Sequence, residues 1–154
     1  MLDTVAGLPM HPLIVHAAVV LIPLAALAFI LMVFSPPFSR RFGALVVIVA
    51  GAGALAAVAA KLSGEELAER VGTPEVHADL GDLLPWIAIG LFVLGLVFWL
   101  LDRGIPGNKT RPAGVILLAI LLLATAVFAI YWTIRVGHSG AEAVWGTVVE
   151  STDR

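Results

Sequence analysis

The sequence predicts an all-α fold, a bundle of four transmembrane helices with its N-terminus and C-terminus both on the outer, non-cytoplasmic side. Three observations carry this. Of 154 residues 60% are hydrophobic and only 13% charged, outside the range of a soluble globular domain. Four apolar stretches, at 13–34, 42–60, 83–101 and 113–134, each come close to the roughly 20 residues that cross about 30 Å of hydrocarbon. Finally, the short segments between them differ sharply in charge. The chain reads as a single integral membrane domain over residues 1–154.

The first stretch has no Lys or Arg before it and no small-residue cleavage site before Ser35, so it is expected to stay in the mature chain as a span rather than leave as a signal peptide. His11 is expected just ahead of this helix, with Pro12 at its first position. The segment 35–41 carries Arg40 and Arg41 and no acid, while 102–112 carries Arg103, Lys109 and Arg111 against Asp102 alone. Basic residues resist translocation, which puts these two loops in the cytoplasm and the remaining acidic segments outside. The second stretch is rich in small residues, with Gly43, Ala44, Val47, Gly51, Ala54 and Val58 at helical spacing, the pattern of close helix packing in lipid.

The outer segments are expected to hold short helices of their own. Ser63–Gly64 reads as the start of a helix over 65–71, and Thr73–Pro74 as the cap and first position of helix three, with Pro85 kinking that helix. Gly137 reads as a helix C-cap, and Ser139 with Glu142 as a capping box for a short final helix. The pairing of hairpins around two basic loops leaves an old duplication open, although no clear repeat stands out.

Composition excludes several functions. Without cysteine there can be no disulfide, thiolate metal site or thiol nucleophile, and a net charge of −2 without a basic run gives no nucleic-acid surface. No nucleophile elbow or metalloprotease pair occurs, and no charge falls in the middle of a span, which argues against a hydrolase and a transporter. No enzymatic activity of its own is expected.

The four histidines fall on one predicted side: His11 and His16 at the start of helix one, His77 at the start of helix three, His138 after helix four. A single interfacial histidine is ordinarily hydrogen-bonded to backbone or headgroup, but four on one side suit a site between facing helices. His11 and His16, five positions apart, are rotated by about 140° and cannot share one helical face. Imidazole suits haem iron, zinc and copper, and a b-type haem needs no cysteine. The expected ligand pair is His16 and His77, with His11, His138 and Arg135 nearer the water, where they could meet propionates. For Arg135, the commoner role is to reach the lipid headgroups. Asp79 and Asp82 could orient His77, with plain solvation as the alternative. Trp86, Trp99, Tyr131, Trp132 and Trp145 read as an interfacial aromatic belt.

The run His11–Pro12–Leu13–Ile14–Val15–His16, together with Gly137–His138–Ser139–Gly140, Val144–Trp145–Gly146 and His77, resembles the family called domain of unknown function 2231 over nearly the whole chain. Ala141 and Trp145 depart from that family's usual tail. The resemblance implies a multi-pass protein of the bacterial inner membrane, and a further resemblance to four-helix b-type cytochromes implies a haem or metal role. Three functions follow as expectations: haem b binding for electron transfer or redox sensing, a non-catalytic accessory subunit of a respiratory or other membrane complex, and a zinc or copper site.

Overall fold

The computed structural model describes residues 4–5, 8–106 and 108–152. A two-residue antiparallel ribbon, β1 (Thr4–Val5) and β2 (Leu8–Pro9), leads into four helices: α1 (Met10–Phe34), α2 (Pro36–Val71), α3 (Glu75–Asp102) and α4 (Ala113–Thr152). All four are long and apolar enough to cross a membrane. Each packs on its two neighbours in a ring, α1 on α2 and α4, α3 on α2 and α4, and only α1 and α3 meet across the middle among the sizeable contacts.

The helices are longer than the apolar stretches that announce them. Ser35 alone separates α1 from α2; it caps α2 by accepting the Phe38 N–H, and Pro36 and Pro37 occupy the first turn, where a missing N–H costs nothing. The basic residues Arg40 and Arg41 therefore sit on the first turns of α2, not in a loop. The expected short outer helices are continuations instead. Residues 65–71 belong to α2, and α4 runs through Gly137 to Thr152 without a break. The reason is visible at the two serines taken for starts: Ser63 Oγ donates to Ala60 O at 3.1 Å and Ser139 Oγ to Val136 O at 2.9 Å. Bonded back to the preceding turn, a serine sits inside a helix without capping a new one. A glycine in mid-helix costs about 1 kcal/mol but does not by itself end it. What does end α2 is Gly72, at φ 93°, a conformation that favours glycine. Pro74 is then the residue before α3, which starts at Glu75.

The core is built on a strict 4,3 spacing. On α2 the seam reads Ser39, Gly43, Val46, Ala50, Gly53, Ala57, Ala60, Gly64; on α4 it runs from Val115 through Ala119, Leu122, Ala126, Ala129, Thr133 and Val136 to Gly140. The same spacing carries α1 from His11 through Ala18, Ile22, Ala25 and Phe29 to Met32, and α3 from His77 through Leu84, Ala88, Leu91, Gly95 and Phe98 to Asp102. A seam every 3.5 residues is the signature of helices crossing at about 20° with side chains interlocked. Small seam residues bring the backbones close. A Cβ on Gly53 would stand 3.4 Å from the backbone of Leu21 and Ile22, so at Gly53 α2 approaches the backbone of α1 itself. Large residues then fill the gaps opposite glycines: Phe29 of α1 lies over Gly95 of α3, Trp99 over Gly43, and Phe92 over Gly51. Trp99 is thus a packing residue more than part of an interfacial belt.

The end of the bundle near the basic loop is closed by one polar knot. Buried Asp102 accepts from Ser39 Oγ at 2.6 Å and from Arg111 Nε at 2.8 Å. Arg111 also donates to the carbonyls of Val33 and, at 3.2 Å, Met32, and its guanidinium lies 5.2 Å over the Phe98 ring. These carbonyls belong to the last turn of α1, which has no intrahelical donors for them, so the cation serves as a cap as well as an ion-pair partner. The knot joins α1, α2 and α3 to the segment that leads into α4.

The packing rule makes a direct prediction. Gly95→Ala places a Cβ 2.0 Å from Phe29 Cζ, on a ring with no exposed surface; it should lower stability in detergent by about 1–3 kcal/mol. Gly114→Ala, where a Cβ meets nothing within 4 Å, should be neutral or slightly stabilising. Thermal unfolding of the two variants in one detergent checks this, and equal midpoints would show that the Phe29–Gly95 contact is not tight.

Candidate functional site: a histidine pair at the end of the bundle

At the end opposite the polar knot, the four seams finish in one layer of alternating size: His11 on α1, Gly64 on α2, His77 on α3 and Gly140 on α4. A Cβ on Gly64 would stand 2.9 Å from His11 Cε1, and one on Gly140 would stand 3.0 Å from His77 Cε1. Each imidazole is therefore seated on a glycine. The two rings meet across the diagonal with centres 6.4 Å apart and planes inclined at 74°. Both are half-buried.

The hydrogen bonds favour one ring nitrogen over the other as the carrier of the proton in the neutral form. His11 Nδ1 lies 2.8 Å from Ala60 O and 3.3 Å from Ser63 Oγ. A carbonyl only accepts, so the hydrogen is on Nδ1. His77 Nδ1 lies 3.1 Å from Ser139 Oγ, whose own proton is committed to Val136 O. With its hydroxyl on Val136 O the serine accepts from His77, which favours the Nδ1–H tautomer there too. In both rings the lone pair is left on Nε2, which makes no hydrogen bond among the described residues. That is the ligand-ready state of a histidine, its orientation set by the bond at the other nitrogen.

The two halves of the chain use one device. In the first, a histidine near the start of α1 docks on a Ser-Gly pair near the C-terminal end of α2; in the second, a histidine near the start of α3 docks on a Ser-Gly pair of α4. In each, the serine bonds back three residues, to Ala60 or Val136. The matching arrangement supports the duplication that hydropathy left open.

The expected partner of His77 was His16, and the fold brings His11 to it instead. α1 begins at Met10, so His11 is already inside the helix and on the seam, and the 140° rotation places His16 on the exposed face, with its Nδ1 bonded to Pro12 O. His138 is exposed and paired with Glu142, Nε2 to Oε1 at 3.3 Å. Arg135 is exposed too, donating to the Tyr131 hydroxyl at 2.8 Å. Of the two acids near His77, Asp82 is taken by Lys61, which also meets Glu65 at 2.8 Å and so ties α2 to α3. Asp79 is exposed. The orienting role falls to Ser139. One turn inward, Trp132 Nε1 donates to Leu80 O at 2.9 Å and fastens α4 to α3. No group of three or more His, Asp or Glu side chains that could hold a metal ion occurs among the described residues.

Comparison with known families places this architecture. Residues 7–153 match the family model described as predicted membrane protein (DUF2231). The chain belongs to this family. The match spans all four helices and every member of the histidine layer. No curated protein and no solved structure matches the chain. Ser63, Ser139, Gly64 and Gly140 were not among the expected site residues. The signal for them was the Ser-Gly dipeptide recurring at the far end of both hairpins, on the seam that ends in a histidine.

The tautomer assignment can be checked by ring ¹⁵N NMR on histidine-labelled protein. Both His11 and His77 should report Nδ1–H. Ser139→Ala should leave His77 a mixture of tautomers, a preference of roughly fivefold being lost with one hydrogen bond of about 1 kcal/mol, while Ser63→Ala leaves His11 unchanged because the Ala60 carbonyl still accepts. A wild-type His77 protonated at Nε2 would refute the scheme.

Proposed function

We propose that the protein binds one b-type haem through Nε2 of His11 and Nε2 of His77, at the non-cytoplasmic end of a multi-pass protein of the bacterial inner membrane, and serves electron transfer or redox sensing. The observation that carries this reading is the histidine pair itself: two imidazoles from helices diagonal in the bundle, both with free Nε2 lone pairs and ring centres 6.4 Å apart. The two imidazoles would be the ligands that this chain supplies to a haem iron, whereas a zinc ion held by protein takes three or four protein ligands. With no third ligand among the described residues, the pair suits haem better than a bare ion. Beside it, a Cβ on Gly81, on the same face one turn inward of His77, would meet nothing within 4 Å, which leaves backbone open to a flat ring. A bound haem would supply one-electron chemistry. The residues of this chain hold it, keep Nε2 unprotonated through Ser139, Ser63 and Ala60, and set the ring planes. The orientation rests on the five basic residues and single acid of segments 35–41 and 102–112.

A second reading is favoured by the same hydrogen bonds: the two rings are held by the bundle itself, as structural histidines of a non-catalytic accessory subunit would be. The absorption spectrum of protein purified from haem-replete cells separates them. A Soret band with low-spin features is expected. His11→Ala and His77→Ala should each abolish the low-spin form, and His16→Ala should retain it. Colourless, metal-free protein after reconstitution with haem would leave the accessory reading, and protein carrying zinc or copper without a haem spectrum would move the site to a metal ion.

A further inference from the structure

On the lipid side of the α3–α4 seam lies a groove of about 420 Å³, lined by Trp86, Gly90 and Leu94 of α3 and by Ala124, Thr125 and Phe128 of α4. Its walls are mainly apolar, and the Thr125 hydroxyl is spent on Leu121 O at 2.9 Å. Gly90 is what keeps it open, since a Cβ there would meet nothing within 4 Å. Such a surface accepts hydrocarbon.

The polar groups come from the same face of α4, farther toward the histidine end. Phe128, Tyr131 and Arg135 follow one another at spacings of three and four, so they form one stripe. Arg135 Nη1 donates to the Tyr131 hydroxyl at 2.8 Å, and its guanidinium lies 5.9 Å from the centre of the Tyr131 ring. The tyrosine oxygen accepts there, which leaves its own O–H to donate. The remaining guanidinium donors point to no acceptor among the described residues. The nearest acid along α4, Glu142, has its carboxylate turned to His138, and no ion pair between it and Arg135 is present among the described residues. Arg135 stands ten residues from Thr125, about 15 Å along the helix, which is half the roughly 30 Å thickness of the hydrocarbon.

We propose that this stripe and groove form a binding site for one anionic phospholipid, with its phosphate on Arg135 and the Tyr131 hydroxyl and one acyl chain lying in the groove past Trp86, Phe128 and Gly90. Charge complementarity selects the occupant. Guanidinium and phenol both donate, and a phosphodiester accepts from both. The site lies outside the histidine layer and does not depend on what that layer binds.

Native mass spectrometry of the purified full chain, equilibrated with equal amounts of phosphatidylglycerol and phosphatidylcholine carrying identical acyl chains, tests it. One tightly retained phosphatidylglycerol is expected. Arg135→Gln should weaken its retention on the order of tenfold, and Tyr131→Phe less. Arg41→Gln, at the other end of the bundle, should not touch that lipid. Gly90→Leu fills the groove and should release the same molecule, so that adding Arg135→Gln to it brings little further loss; Thr125→Leu fills the groove from the α4 side if Gly90→Leu does not fold. Retention unchanged by Arg135→Gln, retention unchanged by a folded groove-filling variant, or equal retention of the two lipids by the wild type would each overturn the proposal.

Discussion

Everything in this molecule depends on a seam of residues spaced four and three apart, repeated on all four helices. In lipid there is little hydrophobic gain in bringing apolar helices together, so association rests on close contact of backbones and side chains. The chain supplies that contact by placing Gly53 against the α1 backbone and by setting Phe29, Trp99 and Phe92 over Gly95, Gly43 and Gly51. Each large residue occupies the volume that a glycine leaves. Interiors packed at this density do not absorb extra atoms freely, which is why the register of the seams, once set, extends to both ends of the bundle.

What the ends carry follows from that register. At one end the seam closes on Ser39 and Asp102, beside Arg111, a knot that satisfies a buried carboxylate, an arginine and the last carbonyls of α1 together. Removing one partner of such a pair leaves a buried charge alone, a cost of about 3–5 kcal/mol, so the knot works as a unit. At the other end the seam closes on His11, Gly64, His77 and Gly140. The same big-on-small rule that packs Phe29 on Gly95 here seats two imidazoles on two glycines. The difference is chemical: a phenyl ring fills space, whereas an imidazole held at Nδ1 presents a lone pair at Nε2.

Much of the fold was legible in the residues, and the part that was not has a physical cause. Hydropathy gives four spans because lipid demands about 20 apolar residues in each crossing, and it is blind to where a helix stops outside the lipid. That is why the polar stretches after Ala60 and Ile134 read as separate short helices, although Ser63 and Ser139 bond back to the turn before them and the helices run on. The histidines were legible as a group on one side. Their partnership was read by depth, which favours His16, whereas azimuth decides it, and azimuth follows from counting back along the seam: Ala18, Val15, His11. Arg111 and Asp102 read as loop charges because their burial depends on α1 and α2, which are distant in sequence.

The central claim is therefore that His11 and His77 end their seams in one layer and that His16 does not belong to it. The chain has no cysteine, so paired cysteines can be introduced without background. Cross-linking in native membranes of His11→Cys/His77→Cys against His16→Cys/His77→Cys by a short bifunctional thiol reagent, which spans the gap left when two rings with centres 6.4 Å apart are cut back to cysteine, measures the claim most directly. The first pair should be bridged within the chain much faster than the second under the same conditions. Faster cross-linking of the second pair would contradict the register from which the site, and the function built on it, are derived.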